Sequence, residues 1–407
     1  GGVHAPAALA AGAWGVLTAP DHAHAAQAAA AGRPGAERAA APGVVLAADD
    51  PLRALQSLAS AWRRALSAQV IGITGSVGKT STKELLRALL SPVRRTVASA
   101  ANFNTEIGLP LELLAAPADT ELLVLEMGMR GPGQIAELAA IAAPQVAVIV
   151  GIGPVHLELL GTIEAIAAAK AELIAGLPPG GIAVVPHDEP LLAPYLRSDT
   201  TTVTFGEHGD VRLLTGDERS VQIDASGRRI ELEVGFAQAH LRHDLLAAVA
   251  ASLAVGVVPE GRVRYEPGAG RGRRRVLANG VTVIDDCYNA NPISMRAALD
   301  DLKATGAARR VAVLGDMLEL GPAGDEYHAA LGEQATVAGV DLLVAVGPLA
   351  RHAVDGFAGE SRTAADATQA AVMLGELLQP GDAVLVKGSL GVGLDIVCRA
   401  LGARDDA

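Results

Sequence analysis

The sequence predicts an α/β protein built on two parallel sheets, each covered by helices on both faces. From Gln69 onward, short and continuous apolar runs alternate with helical patterns, which is typical of parallel strands that are buried on both faces. This rhythm stops in a Gly/Pro/Arg-rich stretch, "PEGRVRYEPGAGRGRRR", and resumes at residue 281. Such a stretch is typical of a linker, so the two blocks are predicted to be separate domains.

The first block begins with the predicted strand "QVIGIT" (69–74) and the helix "STKELLRALL". Two more buried strands follow, "LLVLEM" (122–127) and "VAVIVGIG" (146–153). Shorter, alternating runs then predict an antiparallel annex, formed by "GIAVVP", "TTVTFG", "SVQID" and "IELEV". The helix "HDLLAAVAASLAVGV" closes this block. We assign residues 69–260 to this central domain.

The second block predicts a smaller, doubly wound, Rossmann-like domain over residues 261–407. Its strands are "VTVIDD" (281–286), "RRVAVLGDM" (309–317), "LLVAVG" (342–347) and "AVLVKGS" (383–389). Before both blocks, "PAALAAGAWGVLTA" indicates the end of a helix, a glycine turn and a short strand. Because this pattern starts in the middle of a unit and lacks a methionine, we interpret residues 1–68 as the remnant of an N-terminal domain.

Composition excludes several classes of protein. The net charge of −12 argues against a general nucleic-acid or anionic-membrane surface. Two cysteines, Cys287 and Cys398, are too few for a disulfide framework or a cysteine-rich zinc site, and such sparse use suits a reducing compartment. The sequence contains no uninterrupted apolar stretch of about 18 residues, and its Ala-rich start lacks the basic region of a signal peptide. We therefore expect a cytoplasmic protein without a membrane span.

The turn after the first strand predicts a phosphate-binding loop. A strict Walker A motif would have glycine where Ile73 stands. A shorter form remains, with Gly75, Gly78 and Lys79. Glycines let backbone N–H groups approach phosphate oxygens, the next helix offers its N-terminus, and lysine supplies positive charge. The alternative is an ordinary glycine-rich turn with a solvated lysine. The predicted nucleotide-binding residues here are Thr74, Gly75, Ser76, Val77, Gly78, Lys79, Thr80 and Ser81.

Polar residues follow several predicted strands, at the sheet edge where open α/β sheets bind ligands. Glu126 ends an apolar strand, which favours a metal or phosphate site over a role in the core. His156 could equally be a structural histidine, and Lys170 on its helix could be an ordinary surface lysine. The chain has only five lysines beside 28 arginines, which draws attention to Lys79, Lys170 and Lys387. Four of its five asparagines also fall in such stretches: Asn102, Asn104, Asn289 and Asn291.

Taken together, these stretches resemble the Mur ligase superfamily. The matching segments are "GITGSVGKTSTKE", "NFNTEIGLP", "LEMGMRGPGQI", "GPVHLELLGTIEAIAAAKAELI", "IDDCYNANPISMRAAL", "VAVLGDMLELG" and "VLVKGS". The "YNANP" and "LGDM" segments favour the branch that joins D-alanyl-D-alanine to a UDP-N-acetylmuramoyl-tripeptide. The resemblance implies three domains: an N-terminal domain for the UDP moiety, a central P-loop ATPase and a C-terminal Rossmann-like domain.

The resemblance also implies roles for individual residues. Lys79 would hold the β- and γ-phosphates of ATP, and Thr80 would bind Mg²⁺. Glu126 and His156 would serve the metal sites, and Lys170 would be carbamylated, which turns a cation into a carboxylate-like anion. The catalytic residues would thus be Lys79, Lys170 and His156. Residues toward the muramoyl peptide would be Asn102, Asn104 and Thr105. Residues toward the nucleotide or the interdomain cleft would be Arg273, Asp286, Asn289 and Asn291. Residues toward the dipeptide would be Asp316, His328, Lys387 and Ser389.

The chain departs from the family pattern at three places. Leu241 and Asp244 replace two asparagines that approach adenine in the family. The usual "NADDP" is "PHDEP" at residues 186–190, and Leu390 replaces an arginine after "KGS".

The implied reaction explains why such an enzyme needs ATP. Phosphorylation of the tripeptide carboxylate gives an acyl phosphate, which the amine of the dipeptide attacks. We expect a monomer that uses ATP and Mg²⁺ and binds no nucleic acid. Three alternatives remain at this stage: a related amide ligase with another substrate, a P-loop kinase or ATPase, and a nucleotide-binding paralogue without turnover.

Overall fold

The computed structural model describes residues 1–31, 43–100 and 103–404. Within these residues the chain forms three sheets, of two, ten and six strands, in sequence order. The α/β class predicted from the sequence is confirmed. None of the described helices combines the length and the apolar character that a bilayer crossing requires.

The first residues form a small parallel unit that leads into a long helix. Helix α1 (Ala5–Ala10), strand β1 (Gly15–Thr18), helix α2 (Pro20–Ala31) and strand β2 (Val44–Ala47) precede helix α3 (Pro51–Ala65). Asp50 caps α3 by accepting a hydrogen bond from the N–H of Arg53 at 3.0 Å. Near its end, Trp62 Nε1 donates to Ala116 O at 3.1 Å, and Arg63 Nε donates to Ala142 O at 2.8 Å. These bonds attach α3 to the following domain.

The ten-stranded sheet carries the phosphate loop. Its strands are β3 (Gln69–Thr74), β4 (Thr96–Ala98), β5 (Leu122–Glu126), β6 (Val146–Ile149), β7 (Ile182–Pro186), β8 (Thr201–Phe205), β9 (Val211–Gly216), β10 (Ser220–Ala225), β11 (Arg228–Glu233) and β12 (Gly261–Arg262). Their spatial order is β12-β11-β10-β9-β8-β7-β6-β3-β5-β4. The three buried strands predicted in this block are confirmed as β3, β5 and β6.

The predicted antiparallel annex is half wrong. Strands β7 and β8 extend the parallel sheet, and only β9, β10 and β11 pair in antiparallel fashion. The connection from β7 to β8 includes a 3-10 helix at Pro190–Tyr195, so it is long enough to bring the chain back for parallel pairing. The alternation of apolar and polar residues along a strand indicates which side chains are buried. It does not indicate whether the strand runs parallel or antiparallel to its neighbours.

Helices cover both faces of this sheet. They are α4 (Lys79–Leu90), α5 (Gly108–Ala115), α6 (Gln134–Ala142), α7 (Leu157–Leu160), α8 (Ile163–Ala175) and α9 (Ala239–Ala254). Helices α4 and α9 pack together in one apolar core, while α3, α5, α6 and α8 pack in the other. This two-sided burial explains why β3, β5 and β6 are apolar at nearly every position.

The six-stranded sheet forms the C-terminal domain. Its strands are β13 (Arg273–Val276), β14 (Thr282–Asp286), β15 (Arg310–Gly315), β16 (Leu342–Val346), β17 (Glu360–Ala364) and β18 (Ala383–Lys387), in the spatial order β13-β14-β18-β15-β16-β17. Only β13 runs antiparallel to its neighbour. Helices α10 (Pro292–Lys303), α11 (Gly324–Val337), α12 (Ala367–Leu377) and α13 (Asp395–Ala400) cover it. The four predicted strands are confirmed, whereas β13 and β17 were not predicted.

Two helical glycines of this domain test the packing. A Cβ on Gly332 in α11 would lie 1.9 Å from the carbonyl oxygen of Ala353, while a Cβ on exposed Gly375 in α12 would meet nothing within 4 Å. We expect Gly332→Ala to lower the free energy of unfolding by about 1–3 kcal/mol through overpacking. Gly375→Ala should raise it by about 1 kcal/mol, because alanine is the better helix former. Differential scanning calorimetry would measure both, and equal shifts would contradict the α11 packing.

Candidate active site

The loop between β3 and α4 is folded as a phosphate cradle. Gly78 has a left-handed backbone with φ +78°, and a Cβ there would lie 2.4 Å from Asp244 Oδ1 and 2.7 Å from Val150 Cγ1. Only glycine therefore satisfies both the backbone and the space. Ser76 Oγ donates to Gly153 O at 3.0 Å and accepts from Gly153 N at 2.9 Å, which fixes the loop against the segment after β6. The Thr74 hydroxyl at the start of the loop is buried and has no hydrogen-bond partner among the described residues.

Lys79 opens helix α4 from within this cradle. Its Nζ donates to Gly75 O at 2.8 Å, which folds the side chain back over the loop. Burial lowers the pKa of Lys79, and the Arg271 guanidinium lowers it further, while the Glu126 carboxylate raises it. A group under these influences gains from a nearby anion, and a nucleotide phosphate is the anion that a glycine-rich cradle admits.

Glu126 joins the phosphate loop to neighbouring segments. Its Oε2 accepts from the Thr80 hydroxyl and its Oε1 accepts from Asn104 Nδ2, each at 2.8 Å. Its backbone N–H donates to Ser99 Oγ at 3.0 Å, and the buried Lys83 donates to Ser99 O at 2.6 Å. Thr80 and Glu126 therefore present oxygen atoms side by side, which is the donor set that Mg²⁺ prefers. The residues fit a magnesium site.

Lys170 is buried without a counter-ion. Only 2% of the residue is exposed, and within the described part of the chain its ammonium makes no hydrogen bond or ion pair. Burial lowers the pKa of Lys170 well below the ordinary lysine value, and the positive charge of Lys79 adds to this effect. Burial thus disfavours the ammonium relative to the neutral amine, and the neutral amine is the form that reacts with carbon dioxide to give a carbamate. The environment fits the predicted modification, which stays a prediction.

His156 lies just before α7 and contacts the C-terminal domain. Its Nδ1 is hydrogen-bonded to the carboxylate of Glu319, which follows β15. Burial lowers the pKa of His156, while Glu319 opposes the shift and the charges of Lys170 and Lys79 add to it. His156 is therefore within electrostatic reach of both lysines of the phosphate site.

The carboxyl edge of the C-terminal sheet holds a second polar cluster. Lys387 Nζ, buried at the end of β18, donates to Asp286 Oδ2 at 2.7 Å and to Asn289 O at 2.9 Å. Burial raises the pKa of Asp286, and the Lys387 ammonium opposes that shift. The Arg271 guanidinium stacks 4.0 Å from the centroid of the Tyr288 ring. The charge of Arg271 therefore acts on groups of both domains.

Three of the residues predicted to face the dipeptide form hydrogen bonds with the backbone of loops in the C-terminal domain. Asp316 Oδ1 accepts from the N–H groups of Leu349 and Ala350 at 3.0 and 2.7 Å. His328 is fully buried; its Nδ1 is 2.7 Å from Gly324 O and its Nε2 accepts from the N–H of Met317 at 2.9 Å. Ser389 Oγ accepts from the N–H of Leu318 at 3.0 Å. Their predicted contacts with substrate stay predictions.

The remaining predicted site residues differ in their structural contacts. Asn102 lies outside the described residues. Thr105 Oγ1 accepts from Gly108 N at 3.3 Å, and Asn291 caps α10 by accepting from Ser294 N at 2.9 Å. Arg273 is exposed on β13. Its predicted role stays untested, whereas the charge of Arg271, two residues earlier, acts on the phosphate site.

Sequence reasoning missed Arg271, Glu319 and Lys83 as site residues. Glu319 stands inside the quoted "LGDMLELG" segment, and Arg271 begins the basic run 271–275. Lys83 is one of the chain's five lysines and lies one helical turn after Lys79. The scarcity of lysine, applied to every lysine in the phosphate-loop segment, could have found Lys83.

Asp244, which departs from the family pattern, lies against the phosphate loop. It is buried on α9 next to Gly78. The side chain of Ser81 is hydrogen-bonded to Asp244. Ser81 Oγ also accepts a hydrogen bond from Tyr265 Oη at 3.4 Å. Burial raises the pKa of Asp244 well above the ordinary aspartate range, and the bond from Ser81 compensates only in part. Leu241, the other departure, is buried in the same helix.

One other group of side chains has the composition of a metal site. Among the described residues, the potential ligand atoms of Asp285, Cys287 and Cys398 lie within 4.8 Å of one another. Arg404 Nε, however, donates to Asp285 Oδ2 at 2.7 Å, and the Cys287 thiol donates to Asp285 Oδ1 at 3.0 Å. The guanidinium already supplies the positive charge that this carboxylate needs, so we interpret the group as a buried polar network.

Comparisons with known proteins agree with this geometry. The Mur ligase middle domain matches residues 73–252, and the Mur ligase glutamate ligase domain matches residues 270–390. The UDP-N-acetylmuramoyl-tripeptide–D-alanyl-D-alanine ligase of Synechocystis is 38% identical over 366 residues, covering 88% of this chain and 80% of that protein. The Bacillus subtilis ligase of the same name is 36% identical over 369 residues, covering 88% and 81%. The crystal structure of Thermotoga maritima MurF ligase in complex with ADP superposes with a TM-score of 0.79 and 30% identity, covering 91% of each chain.

Two glycines with the same backbone conformation test the cradle. Gly133 has φ +82°, close to the +78° of Gly78, but a Cβ on Gly133 would meet nothing within 4 Å. Alanine should cost about 1–2 kcal/mol of stability at Gly133 through the left-handed backbone, and more at Gly78, where overpacking adds to that cost. Only Gly78→Ala should also weaken ADP binding, by about tenfold or more, because its Cβ collides with Asp244 and Val150. Titration calorimetry with ADP would measure this, and equal losses in the two variants would contradict the cradle geometry.

The buried carboxyl of Asp244 predicts a pH-dependent stability. Because its pKa is raised in the folded state, its favourable contribution is fully present below the pKa of the unfolded chain, about 3.9, and is lost as pH rises through the folded value. Asp244→Asn should therefore raise the unfolding midpoint of the nucleotide-free protein more at pH 8 than at pH 5.

Thermal unfolding at both pH values would measure this difference. Exposed Asp188, which makes no side-chain hydrogen bond in the described structure, provides the control variant Asp188→Asn. A gain for Asp244→Asn that is equal at pH 5 and pH 8 would contradict the role of burial.

Proposed function

The chain belongs to the Mur ligase family, and on this premise we propose that it joins D-alanyl-D-alanine to a UDP-N-acetylmuramoyl-tripeptide, with conversion of ATP to ADP and phosphate. The observation that carries the proposal is the glycine-rich cradle itself, in which half-buried Lys79 folds back over the loop and the Thr80 hydroxyl meets Glu126, with buried Lys170 within electrostatic reach of Lys79. Such a site favours an anion, and the adjacent Thr80 and Glu126 provide oxygen ligands for a metal. The product would be a precursor for peptidoglycan synthesis, as the resemblance to the Mur ligases implies.

The proposed reaction has two steps. In the first, an oxygen of the tripeptide carboxylate attacks the γ-phosphorus of ATP, the bond to the β-phosphate oxygen breaks, and ADP leaves. In the second, the dipeptide amine attacks the carbonyl carbon of the acyl phosphate. The tetrahedral intermediate expels inorganic phosphate, and the amine gives up a proton as the amide forms. Phosphorylation is required because a free carboxylate has no adequate leaving group.

Residues of this chain would bind and orient the reacting groups. Backbone N–H groups of the loop at 74–81 would hold the phosphates, and Lys79 would neutralise charge on the transferred phosphoryl group. Thr80, Glu126, His156 and, if carbamylated, Lys170 would hold Mg²⁺, which when bound supplies further positive charge at the phosphates. Asn104, bonded to Glu126, would link the metal site to the muramoyl-peptide side.

The domain division follows the same proposal. Residues 1–68 would belong to the UDP-substrate domain, 69–260 to the ATP-binding domain and 261–407 to the ligase domain. The carboxyl edges of the ten-stranded and six-stranded sheets are joined by the contact between His156 and Glu319. A cleft between these edges would align the amine with the acyl phosphate and exclude water. We expect the enzyme to act as a monomer in the cytoplasm, where ATP and UDP-linked precursors occur.

Phosphate release tests the proposed function. The full-length enzyme would be incubated with ATP, Mg²⁺, UDP-muramoyl-tripeptide and D-alanyl-D-alanine, and then with each substrate omitted. Release that requires both substrates is the expected result. Release that needs neither would indicate an ATPase, and release with another amino acid or peptide alone would indicate a related ligase. A folded, ADP-binding protein without any release would indicate a paralogue that has lost turnover.

Lys170 provides a second test of the site. Lys170→Ala and Lys170→Arg should each lower kcat by about 10²–10³-fold, the scale of losing one charge-stabilising group, since a guanidinium forms no stable carbamate. Exposed Lys303, which donates only to Val337 O at 3.2 Å, provides the control Lys303→Arg. A carbamate signal in ¹³C NMR after exposure to labelled bicarbonate should disappear in Lys170→Arg and persist in Lys303→Arg. Full activity of Lys170→Arg would contradict carbamylation.

A further inference from the structure

The contact between His156 and Glu319 connects two domains that are distant in sequence. The two residues are 163 positions apart, yet Glu319 is hydrogen-bonded to His156 Nδ1. His156 stands at the start of α7 in the central domain, and Glu319 belongs to the loop after β15 in the C-terminal domain. A contact of this kind forms only when the C-terminal domain is docked.

Backbone conformation sets this pair apart from other surface contacts. Among the described residues, four that are not glycine have positive φ: Ala143, His156, Ser226 and Glu319. His156 has φ 55° and Glu319 has φ 64°, so both partners of one hydrogen bond adopt the left-handed conformation. Residues other than glycine adopt this conformation uncommonly, and those that do occur often at functional sites.

The surrounding backbone holds the two segments together. The N–H of Glu158 donates to the carbonyl oxygen of Glu319 at 3.2 Å. Gly321 has φ +64°, and a Cβ there would lie 3.2 Å from Glu158 Cα. The loop with Glu319 therefore packs directly on the main chain next to His156, and its carboxylate is presented by a fixed backbone.

A carboxylate on one ring nitrogen determines what the other nitrogen can do. When Nδ1–H donates a hydrogen bond to the Glu319 carboxylate, the neutral ring carries its free electron pair on Nε2. Within the described structure, Nε2 of His156 makes no hydrogen bond. Histidines that bind metals commonly have this arrangement, in which a carboxylate orients the ring and fixes the tautomer.

We propose that Glu319 is a positioning residue that prepares His156 to bind the metal and does so only when the C-terminal domain is docked. This inference rests on the proposed function, because it takes His156 as a metal ligand. Its consequence is that the metal site beside the ATP phosphates is complete only in the closed arrangement. The domain that receives the dipeptide would thereby control the site of phosphoryl transfer.

Metal affinity tests the proposal without use of the ligase substrates. Mn²⁺ would be titrated into the ADP complex of the full-length protein and free Mn²⁺ followed by electron paramagnetic resonance. Glu319→Ala should weaken Mn²⁺ binding by about tenfold or more, the usual effect of losing such a carboxylate. Glu319→Gln should retain most of the affinity, because its amide oxygen still accepts from Nδ1. Exposed Glu158, whose side chain makes no hydrogen bond in the described structure, provides the control Glu158→Gln, expected to match the parent protein.

A double-mutant cycle separates an indirect from a direct role. If Glu319 acts through His156, then His156→Ala should weaken Mn²⁺ binding, and adding Glu319→Ala to it should have no further effect. Unchanged Mn²⁺ affinity in Glu319→Ala, or an additional loss in the double variant, would overturn the proposal. Unchanged affinity in His156→Ala would overturn it as well.

A scattering measurement checks the requirement for docking. The radius of gyration of the ADP–Mn²⁺ complex, measured by small-angle X-ray scattering, should be larger in Glu319→Ala than in Glu158→Gln. Equal radii would overturn the link to domain docking. Failure of the ligase itself would be recognised separately, as absence of substrate-dependent phosphate release in the unmodified protein.

Discussion

The whole arrangement depends on two lysines, Lys79 and Lys170, that influence each other electrostatically beside the phosphate loop and have few anions near them. Lys170 is buried without a hydrogen bond or ion pair in the described structure, and Lys79 shares a single nearby carboxylate, Glu126. A positive charge on both amines at once is unfavourable here, and burial lowers the pKa of each lysine. A bound polyphosphate, or conversion of one amine into an anion, removes this imbalance. The folded protein therefore has an electrostatic environment that favours a bound anion at this loop.

Each of the two larger sheets contributes a different part of the candidate active site. The central sheet contributes the cradle, with Gly78 confined between Asp244 and Val150, and the pair of oxygen donors on Thr80 and Glu126. The C-terminal sheet contributes a rigid polar edge, in which Lys387 is fixed by Asp286 and Asn289. Each edge is assembled within its own domain. The contact of His156 with Glu319 and the charge of Arg271 are among the features that depend on both domains at once.

Several polar residues at these sheet edges stabilise the loops around the site through hydrogen bonds to the backbone. Asp316 and His328 are bonded to backbone groups of the loops around them, and Ser99 is held by Lys83 while it receives the N–H of Glu126. Such bonds fix the loops from which substrate contacts would be made. Catalytic geometry of this kind depends on residues that need not touch the substrate.

The sequence by itself determined the α/β class, the buried parallel strands and the phosphate loop, because these follow from local patterns: apolar runs, glycine positions and the order of strand and helix. It also indicated Glu126 and Lys170, through a carboxylate in an apolar strand and the scarcity of lysine. It could not determine the parallel direction of β7 and β8, since alternation reports burial alone. Nor could it pair His156 with Glu319 or favour Arg271 over Arg273. Those outcomes depend on how two distant segments pack against each other, and only the tertiary structure decided them.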